Sequence, residues 1–515
     1  MRRDVKRVAV LGGGITGLSA AFYLKRLSKE RGAVLEVTVL EASGRLGGPV
    51  NTLRKEGFVI ERGPDSFLGR KLPMLRLARE LKLLDELVGT NPQATKTYLA
   101  ADGKLQPMPK GLNLGIPNQL GAFAQTSLVS PRGKLRALDE LRLPPKEDDA
   151  DESVGAFLER RLGREMVERI AEPLLAGIHA GNLYKLSLKA AFPQFAEMER
   201  KYGSVIKGMM EARKLAPVAG VKAAEARSAA VGGASVPPTA FLTFRRGLST
   251  VIEALEERLR ADGCDIRLLS EAAAIRRSGP GGPGGASGTS ATGAVGETGG
   301  ASSAAAAPSP AYVVELAGGG TLEADAVLLT VPAYVCAELL APHIDISPLT
   351  AIEYASVANV VFAYDAAGFG HRLDGSGFLV PRGQGYTITA STWTSSKWGN
   401  TAPPGKRLIR CYVGHADDAS AVERSDAELT AAVRRDLQRL MGLDAKPEFV
   451  EITRLRRSMP QYPVGHVEQI AALRRELAAK LPGVYATGAA FEGVGLPDCV
   501  GMAKAAAEHI VAAIS

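Results

Sequence analysis

Val8-Ala9-Val10-Leu11-Gly12-Gly13-Gly14-Ile15-Thr16-Gly17 decides how this chain begins to fold. The four apolar residues read as a short buried strand of the parallel-sheet kind. Gly12 then permits a tight turn, Gly14 lets backbone approach a pyrophosphate, and Gly17 lets a helix lie close against the strand. Residues 18–27 carry helical periodicity, and residues 37–40 make a second strand that ends at Glu41. One βαβ unit results. Its helix begins near Ile15 and Thr16, and the unsatisfied N–H groups there suit a dinucleotide phosphate. Glu41 can accept both hydroxyls of an adenosine ribose, and its charge disfavours a 2′-phosphate. A glycine-rich turn with an unrelated glutamate at the strand end is the plain alternative.

The next stretch, Glu41-Ala42-Ser43-Gly44-Arg45-Leu46-Gly47-Gly48, adds to this site. Arg45 can offset phosphate charge, while Gly47 and Gly48 permit close backbone contact. A basic surface turn is the alternative. At the far end, Gly488-Ala489-Ala490-Phe491-Glu492-Gly493-Val494-Gly495-Leu496-Pro497-Asp498 precedes the last helix. A second helix N-terminus can thus approach the same cofactor. The two ends of the chain are expected to share one domain, with others inserted between them.

At 515 residues the chain exceeds one compact domain. Its 46% hydrophobic and 23% charged residues exclude disorder throughout. Its 57 glycines follow no strict period, which excludes collagen. The net charge of +8 suits an acidic small substrate or loose contact with anionic lipid. The basic residues are scattered and form no zinc-finger or basic-zipper pattern, so no nucleic acid is expected. Cys264, Cys336, Cys411 and Cys499 form no Cys-x-x-Cys pair and read as free thiols in a reducing compartment. The six histidines are isolated, so no metal site is expected. Met1-Arg2-Arg3-Asp4-Val5-Lys6-Arg7 leads straight into the first strand, and no apolar run is long enough to span a membrane. A cytoplasmic protein is expected, with peripheral membrane contact left open.

Residues 71–90 read as an amphipathic helix through Leu72, Leu75, Leu77, Leu81 and Leu84. Residues 101–118 are rich in turns, and helices are expected over 154–160 and 164–175. Residues 211–240 are alanine-rich and end in Val236-Pro237-Pro238, giving a frayed helix or a mobile linker. A helix over 247–262 has Ser249 or Thr250 as its cap, with Glu253 three residues after Thr250. A strand over 265–269 follows. Residues 278–310 are almost all Gly, Ala, Ser, Thr and Pro and cannot bury enough apolar area to offset their ordering entropy. They read as a disordered insertion at a hairpin tip, because Tyr312-Val313-Val314-Glu315-Leu316 resumes the strand pattern. Strands are expected over 326–330, 357–364, 377–380, 387–390, 408–413 and 483–488, and helices over 424–441 and 500–513.

The expected fold is α/β: a Rossmann-like dinucleotide domain, a mixed-sheet substrate domain and a helical insertion. The first is split over 1–90, 241–345 and 450–515. Residues 91–110 connect it to the substrate domain, 111–210 form the helical part, 211–240 the linker, and 346–449 the mixed sheet.

Several further stretches carry a resemblance. They are Gly57-Phe58-Val59-Ile60-Glu61-Arg62-Gly63-Pro64-Asp65-Ser66-Phe67, Pro107-Met108-Pro109-Lys110-Gly111, and Glu172-Pro173-Leu174-Leu175-Ala176-Gly177-Ile178-His179-Ala180-Gly181. Leu186-Ser187, Phe192-Pro193, Ser458-Met459-Pro460-Gln461-Tyr462-Pro463-Val464-Gly465-His466 and residues 491–498 complete the set. Together they resemble the protoporphyrinogen/coproporphyrinogen oxidases, especially the Gram-positive bacterial branch, within the flavoprotein superfamily of amine oxidases and carotenoid desaturases. They cover nearly the whole chain apart from 211–240 and 278–310.

The resemblance implies FAD as the cofactor. It places Ala42, Leu46, Ala274 and Gly63-Pro64-Asp65-Ser66 in the FAD site beside the glycine turns, together with Gly488, Glu492, Gly493, Val494 and Gly495. It implies an oxidase that uses O₂ for the six-electron oxidation of coproporphyrinogen III to coproporphyrin III, with three H₂O₂, in haem synthesis. Protoporphyrinogen IX is the alternative substrate. An amine oxidase or a carotenoid desaturase of the same fold is a further alternative, and a downstream haem-pathway enzyme is a candidate partner.

In that chemistry hydride leaves a meso carbon for the flavin and an N–H proton is lost. The electron-rich tetrapyrrole supplies much of the drive, so the protein must mainly hold the ring and exclude water. No strong side-chain base is predicted. The propionates need cations, and Lys71, beside Arg70, matches the family's carboxylate anchor; a surface charge is the alternative. Cations at a helix N-terminus are slightly disfavoured, which favours function. Gly177, Ile178 and His179 match a loop near the reacting centre, where the glycine lets a carbonyl approach the macrocycle. His179 departs from the family's usual tyrosine, and packing against substrate or cofactor is expected of it rather than a base role. Phe362, Tyr364 and Trp393 are candidate pocket walls or ordinary sheet core. Met459, Tyr462 and His466 lie in a structured loop whose facing is not legible.

Overall fold

The computed structural model describes residues 5–278 and 311–514. Five parallel strands form the central sheet, in the order Asp265–Arg267, Leu35–Leu40, Lys6–Leu11, Ala326–Leu329 and Val484–Ala486. Both ends of the chain therefore lie in one sheet. The alternation of the first strand sorts its side chains to two cores. Val8 and Val10 pack with the helices Ile15–Glu30, Ser249–Ala261 and Leu496–Ile514. Ala9 and Leu11 face the helices Ala333–Leu340 and His466–Lys480. A parallel sheet covered on both faces has near-continuous apolar strands, as residues 8–11 do.

A seven-stranded mixed sheet forms the second body. Its order is Phe449–Pro460, Tyr354–Asp365, Lys406–Val413, Ile388–Thr392, Gly375–Leu379, Lys96–Ala101 and Lys104–Pro107. Gly375–Leu379 and Lys96–Ala101 run parallel, and the other neighbours antiparallel. Phe449–Pro460 pairs along most of Tyr354–Asp365, so the boundary expected at 449/450 moves to the end of that strand. Phe362, Tyr364 and Trp393 are sheet core, packed with Leu429, Val433 and Leu437 of the helix Asp426–Met441. They are not pocket walls. The opposite parity, Val361, Ala363 and Leu408, meets Phe58 and Ile60 of the first domain.

Other expectations are corrected. The helix expected over 71–90 spans only Leu72–Glu80. Lys82 turns to φ +60°, and Leu87–Gly89 then pairs with Phe241–Phe244 in a small sheet. No side chain of the predicted capping pair caps Ser249–Ala261. Instead the Leu248 N–H donates to Glu61 at 2.6 Å and the Ser249 N–H to the Thr52 hydroxyl at 2.9 Å. Of the two readings of 211–240, the helical one describes its first part, because Val205–Ala230 is a single helix. Ser204 caps it by accepting from the Lys207 N–H. The strands Ala272–Arg277 and Tyr312–Leu316 pair antiparallel, while the insertion expected between them lies, over 279–310, outside the described residues. All four cysteines are free and buried. Among the described residues no helix is long and apolar enough to cross a membrane.

Candidate functional site

Three glycine turns from distant parts of the chain meet at the carboxyl end of the parallel sheet. Gly12 has φ +109°, and Thr330 ties the turn by donating its hydroxyl to the Leu11 carbonyl at 2.8 Å. A Cβ on Gly17 would stand 1.9 Å from the Gly12 oxygen, so only glycine lets the helix dock. Gly14 precedes the helix without a side-chain cap, and a Cβ there would meet nothing within 4 Å. The start of the helix thus borders open space at Gly14. Glu41 ends its strand beside it, accepting from the Gly13 N–H at 2.7 Å and the Ser43 N–H at 2.8 Å.

The second turn is stitched to the first, since the Gly47 N–H donates to the Gly13 carbonyl at 2.8 Å. Gly47 and Gly48 both have positive φ, at +101° and +56°. Leu46 is buried, Ala42 is exposed, and Arg45 folds back onto the Gly48 carbonyl at 2.6 Å. Gly488, at φ +125°, brings in the far end of the chain: a Cβ there would lie 3.6 Å from the Thr16 hydroxyl. Gly493 and Gly495 wrap Asp498, and Val494 between them is half-buried. The side chain of Glu492 is committed elsewhere, to an exposed ion pair with Arg474. Ala274 lies in a different, three-stranded sheet, opposite Glu315.

Gly63 begins another close approach, where a Cβ would come 1.7 Å from the Pro49 oxygen. The segment it opens is gripped by side chains of the second body. Asn359 donates to the Arg62 carbonyl at 2.8 Å, Arg410 donates to the Gly63 carbonyl, and Lys397 pairs with Asp65 at 3.2 Å. Pro64 is half-buried and the Ser66 hydroxyl donates to Asp65 at 2.6 Å. Burial would raise the Asp65 pKa, but Lys397 and Arg410 outweigh it and hold the carboxyl at about 2. Burial pushes Glu61 up to about 7. Arg410 and Lys397 escaped the sequence reading. A signal existed in the sequence, because Arg410 interrupts the apolar run Leu408-Ile409-Arg410-Cys411; the structure leaves it 5% exposed.

Lys71 directly precedes the helix Leu72–Glu80, and its Nζ lies 2.6 Å from both oxygens of Asp498. That carboxylate offsets a cation placed against the helix dipole. Arg70 beside it is exposed. Gly177, Ile178 and His179 form the last turn of the helix Glu172–His179, not a loop. A Cβ on Gly177 would meet nothing within 4 Å, and Ile178 is 46% exposed, so this turn presents an open face. His179 points the other way, buried edge-on against Phe192 and Tyr462 with Nδ1 unpartnered. Burial pulls its pKa down to about 4, which keeps it neutral.

Tyr462 and His466 are seam residues. The Tyr462 hydroxyl donates to the Ala489 carbonyl, its ring stacks on His466 at 4.5 Å, and His466 Nε2 meets the Phe491 carbonyl at 2.9 Å. The Ser187 N–H bonds the Tyr462 carbonyl at 2.8 Å, so this stretch ties the helical part to the Gly488 turn. Met459 is half-buried, at the end of its strand.

The pattern of flavin containing amine oxidoreductases matches residues 15–511. The chain belongs to that family. Within it, the chain is 40% identical to the coproporphyrinogen III oxidase of Bacillus subtilis over 97% of both chains. It is 38% identical to the coproporphyrinogen III oxidase of Staphylococcus aureus, over 98% of this chain and 99% of the other. A crystal structure from Exiguobacterium sp., provisionally named a protoporphyrinogen oxidase, superposes with TM-score 0.80 at 35% identity, covering 98% of this chain and 99% of that one. The flavin of this family fits the cradle. The oxidoreductase offers uncapped helix N–H groups, open space at Gly14 and a strand-end carboxylate in one place.

Proposed function

We propose that the protein is an FAD-dependent oxidase that converts coproporphyrinogen III to coproporphyrin III with O₂, in haem synthesis. The observation that carries the FAD reading is the meeting of Gly12–Gly17, Gly47–Gly48 and Gly488 beside Glu41. Such a cradle suits an ADP moiety: helix N–H groups for the pyrophosphate and a carboxylate for the ribose hydroxyls. Bound FAD supplies a two-electron acceptor that O₂ regenerates. The substrate reading rests on near-full-length likeness to two proteins named coproporphyrinogen III oxidase.

The chain's own side chains fit this chemistry by what they leave out. His179 is neutral and, among the described residues, carries no partner on Nδ1 and has no carboxylate behind it, so it does not resemble an oriented base. The proton lost from the substrate N–H goes to water. Lys71 is the propionate-binding candidate, and in that role it exchanges part of its bond to Asp498 for the substrate. The open turn at Gly177 and Ile178 is the apolar face offered to the ring.

Protoporphyrinogen IX is the second reading, favoured by the name of the Exiguobacterium structure. Turnover of both porphyrinogens by the purified protein, followed by porphyrin fluorescence over a range of salt, separates the two. The four propionates of coproporphyrinogen predict a higher kcat/KM that falls more steeply with salt. A preference for protoporphyrinogen with a flat salt response would reverse the assignment.

A further inference from the structure

Where the two bodies meet, a partly enclosed cavity of about 20 Å³ is lined by Glu61 and Asp65 from one side and by Arg410, Trp398 and Asn400 from the other. Several polar atoms here have no hydrogen-bond partner: Nε and Nη1 of Arg410, whose guanidinium lies over the Tyr412 ring at 4.8 Å, Nε1 of Trp398 and Oδ1 of Asn400. Arg410 is 5% exposed and spends only its remaining nitrogen, on the Gly63 carbonyl. A buried guanidinium left this incomplete is costly unless something else needs its position. The cavity exceeds the ~10–15 Å³ that one water requires, and it offers that water both donors and acceptors.

The face of the mixed sheet that reaches this seam is consistent along its length. Asn359 and Val361 of one strand are register partners of Tyr412 and Arg410 of the next. Asn359 holds the Arg62 carbonyl, Arg410 holds the Gly63 carbonyl, and Lys397 holds Asp65. Three side chains of the second body thus fix three residues of the first, Arg62, Gly63 and Asp65. Among them Gly63 approaches Pro49, just beyond the Gly47–Gly48 turn.

We propose that Arg410, completed by internal water in the seam cavity, is a positioning residue that holds the Arg62–Ser66 segment in the shape that receives FAD. The inference rests on the FAD reading above. The charged groups facing Arg410 are Glu61 and Asp65, with Lys397 behind Asp65. Together they bind the cofactor segment to a domain that supplies none of the glycine turns. The cofactor's surroundings therefore depend on how the two bodies are joined.

The test compares Arg410→Met, Arg410→Lys and Asn359→Ala with the wild type by FAD titration of protein stripped of flavin, and by the visible spectrum of bound flavin. The expected result is an FAD Kd raised about tenfold in Arg410→Met, or roughly 1.4 kcal/mol. Its flavin band is shifted, Arg410→Lys recovers part of the affinity, and Asn359→Ala shows a smaller loss. Arg161→Met, which breaks a buried ion pair in the helical part, serves as the stability control and should leave both readouts unchanged. Wild-type Kd and spectrum in both Arg410→Met and Asn359→Ala would overturn the inference while leaving the FAD reading standing. So would a loss of affinity no greater than that of Arg161→Met. If Arg410→Met fails to fold, Asn359→Ala alone decides. A wild type that binds no FAD would remove the reading beneath it.

Discussion

Two buried arginines in this protein sit in opposite circumstances. Arg161, in the helical part, is fully buried against Glu140. Its nitrogens also reach the carbonyls of Leu143, Pro144 and Gly203, while Glu140 accepts from Ser204 and the N–H groups of Val205 and Ile206. That network closes on itself and pins the start of the helix Val205–Ala230. Arg410 has one protein acceptor and two idle nitrogens, beside an orphaned Asn400 oxygen and Trp398 nitrogen. Buried polar atoms in native proteins are nearly all satisfied, so an incomplete cluster marks a place kept for something other than stability. The closed network is architecture, and the open one borders the candidate site.

The sharpest way to break that contrast is at the glycine turns. Gly17→Val drives a side chain into the Gly12 carbonyl and should leave the protein without flavin, with a stability loss on the order of 4 kcal/mol. Retained yellow colour after gel filtration would mean the turn does not hold the cofactor. Arg161→Met strands Glu140 and should cost about 3–5 kcal/mol in urea unfolding while flavin content stays normal. Lost flavin at native stability would erase the distinction between the two clusters.

Next in size is the pH response of the seam. The folded pKa of Glu61, about 7, lies above its ordinary 4.5, so the folded state holds the proton more tightly. That contribution is fully present below about pH 4.5 and is lost as pH rises through 7, by on the order of 3 kcal/mol. Urea unfolding across this window should show the decline, and Glu61→Gln should flatten it. His179 has the opposite sign. Its folded pKa, about 4, lies below 6.5, so its contribution is present above 6.5 and lost as pH falls through 4. His179→Phe should remove that acid loss and leave turnover within about twofold, at a packing cost under about 1.5 kcal/mol. Turnover lost with the flavin spectrum intact would make His179 a working group. The smallest effect is that of Tyr462→Phe, which removes the bond to the Ala489 carbonyl and should cost about 1 kcal/mol in thermal unfolding.

The dinucleotide end was legible because its signals are local. Gly12, Gly14 and Gly17 sit within one turn, and strand and helix periods flank them. The seam was not, because it is made by contacts across the chain. Alternation in Tyr354–Asp365 was readable, but not which parity meets the other domain. Phe362 and Tyr364 were the natural aromatic choices, yet Asn359 and Val361 face the seam. The start of Ser249–Ala261 looked self-capped because Glu61 is distant in sequence. Phe449–Pro460 escaped notice because Arg456 and Arg457 are exposed and most of the strand is only half-buried, so no clean apolar alternation marks it. The helix Leu72–Glu80 ends without glycine or proline, where leucine periodicity alone would carry it on.

The most direct test of the account is stoichiometric. Purified protein is given coproporphyrinogen III in air, and coproporphyrin III and H₂O₂ are measured together with the flavin released on denaturation. The account predicts one FAD per chain and three H₂O₂ per porphyrin, with formation stopping when O₂ is removed. A colourless protein, or a flavin-loaded one that forms no porphyrin above the rate of air oxidation, would contradict it.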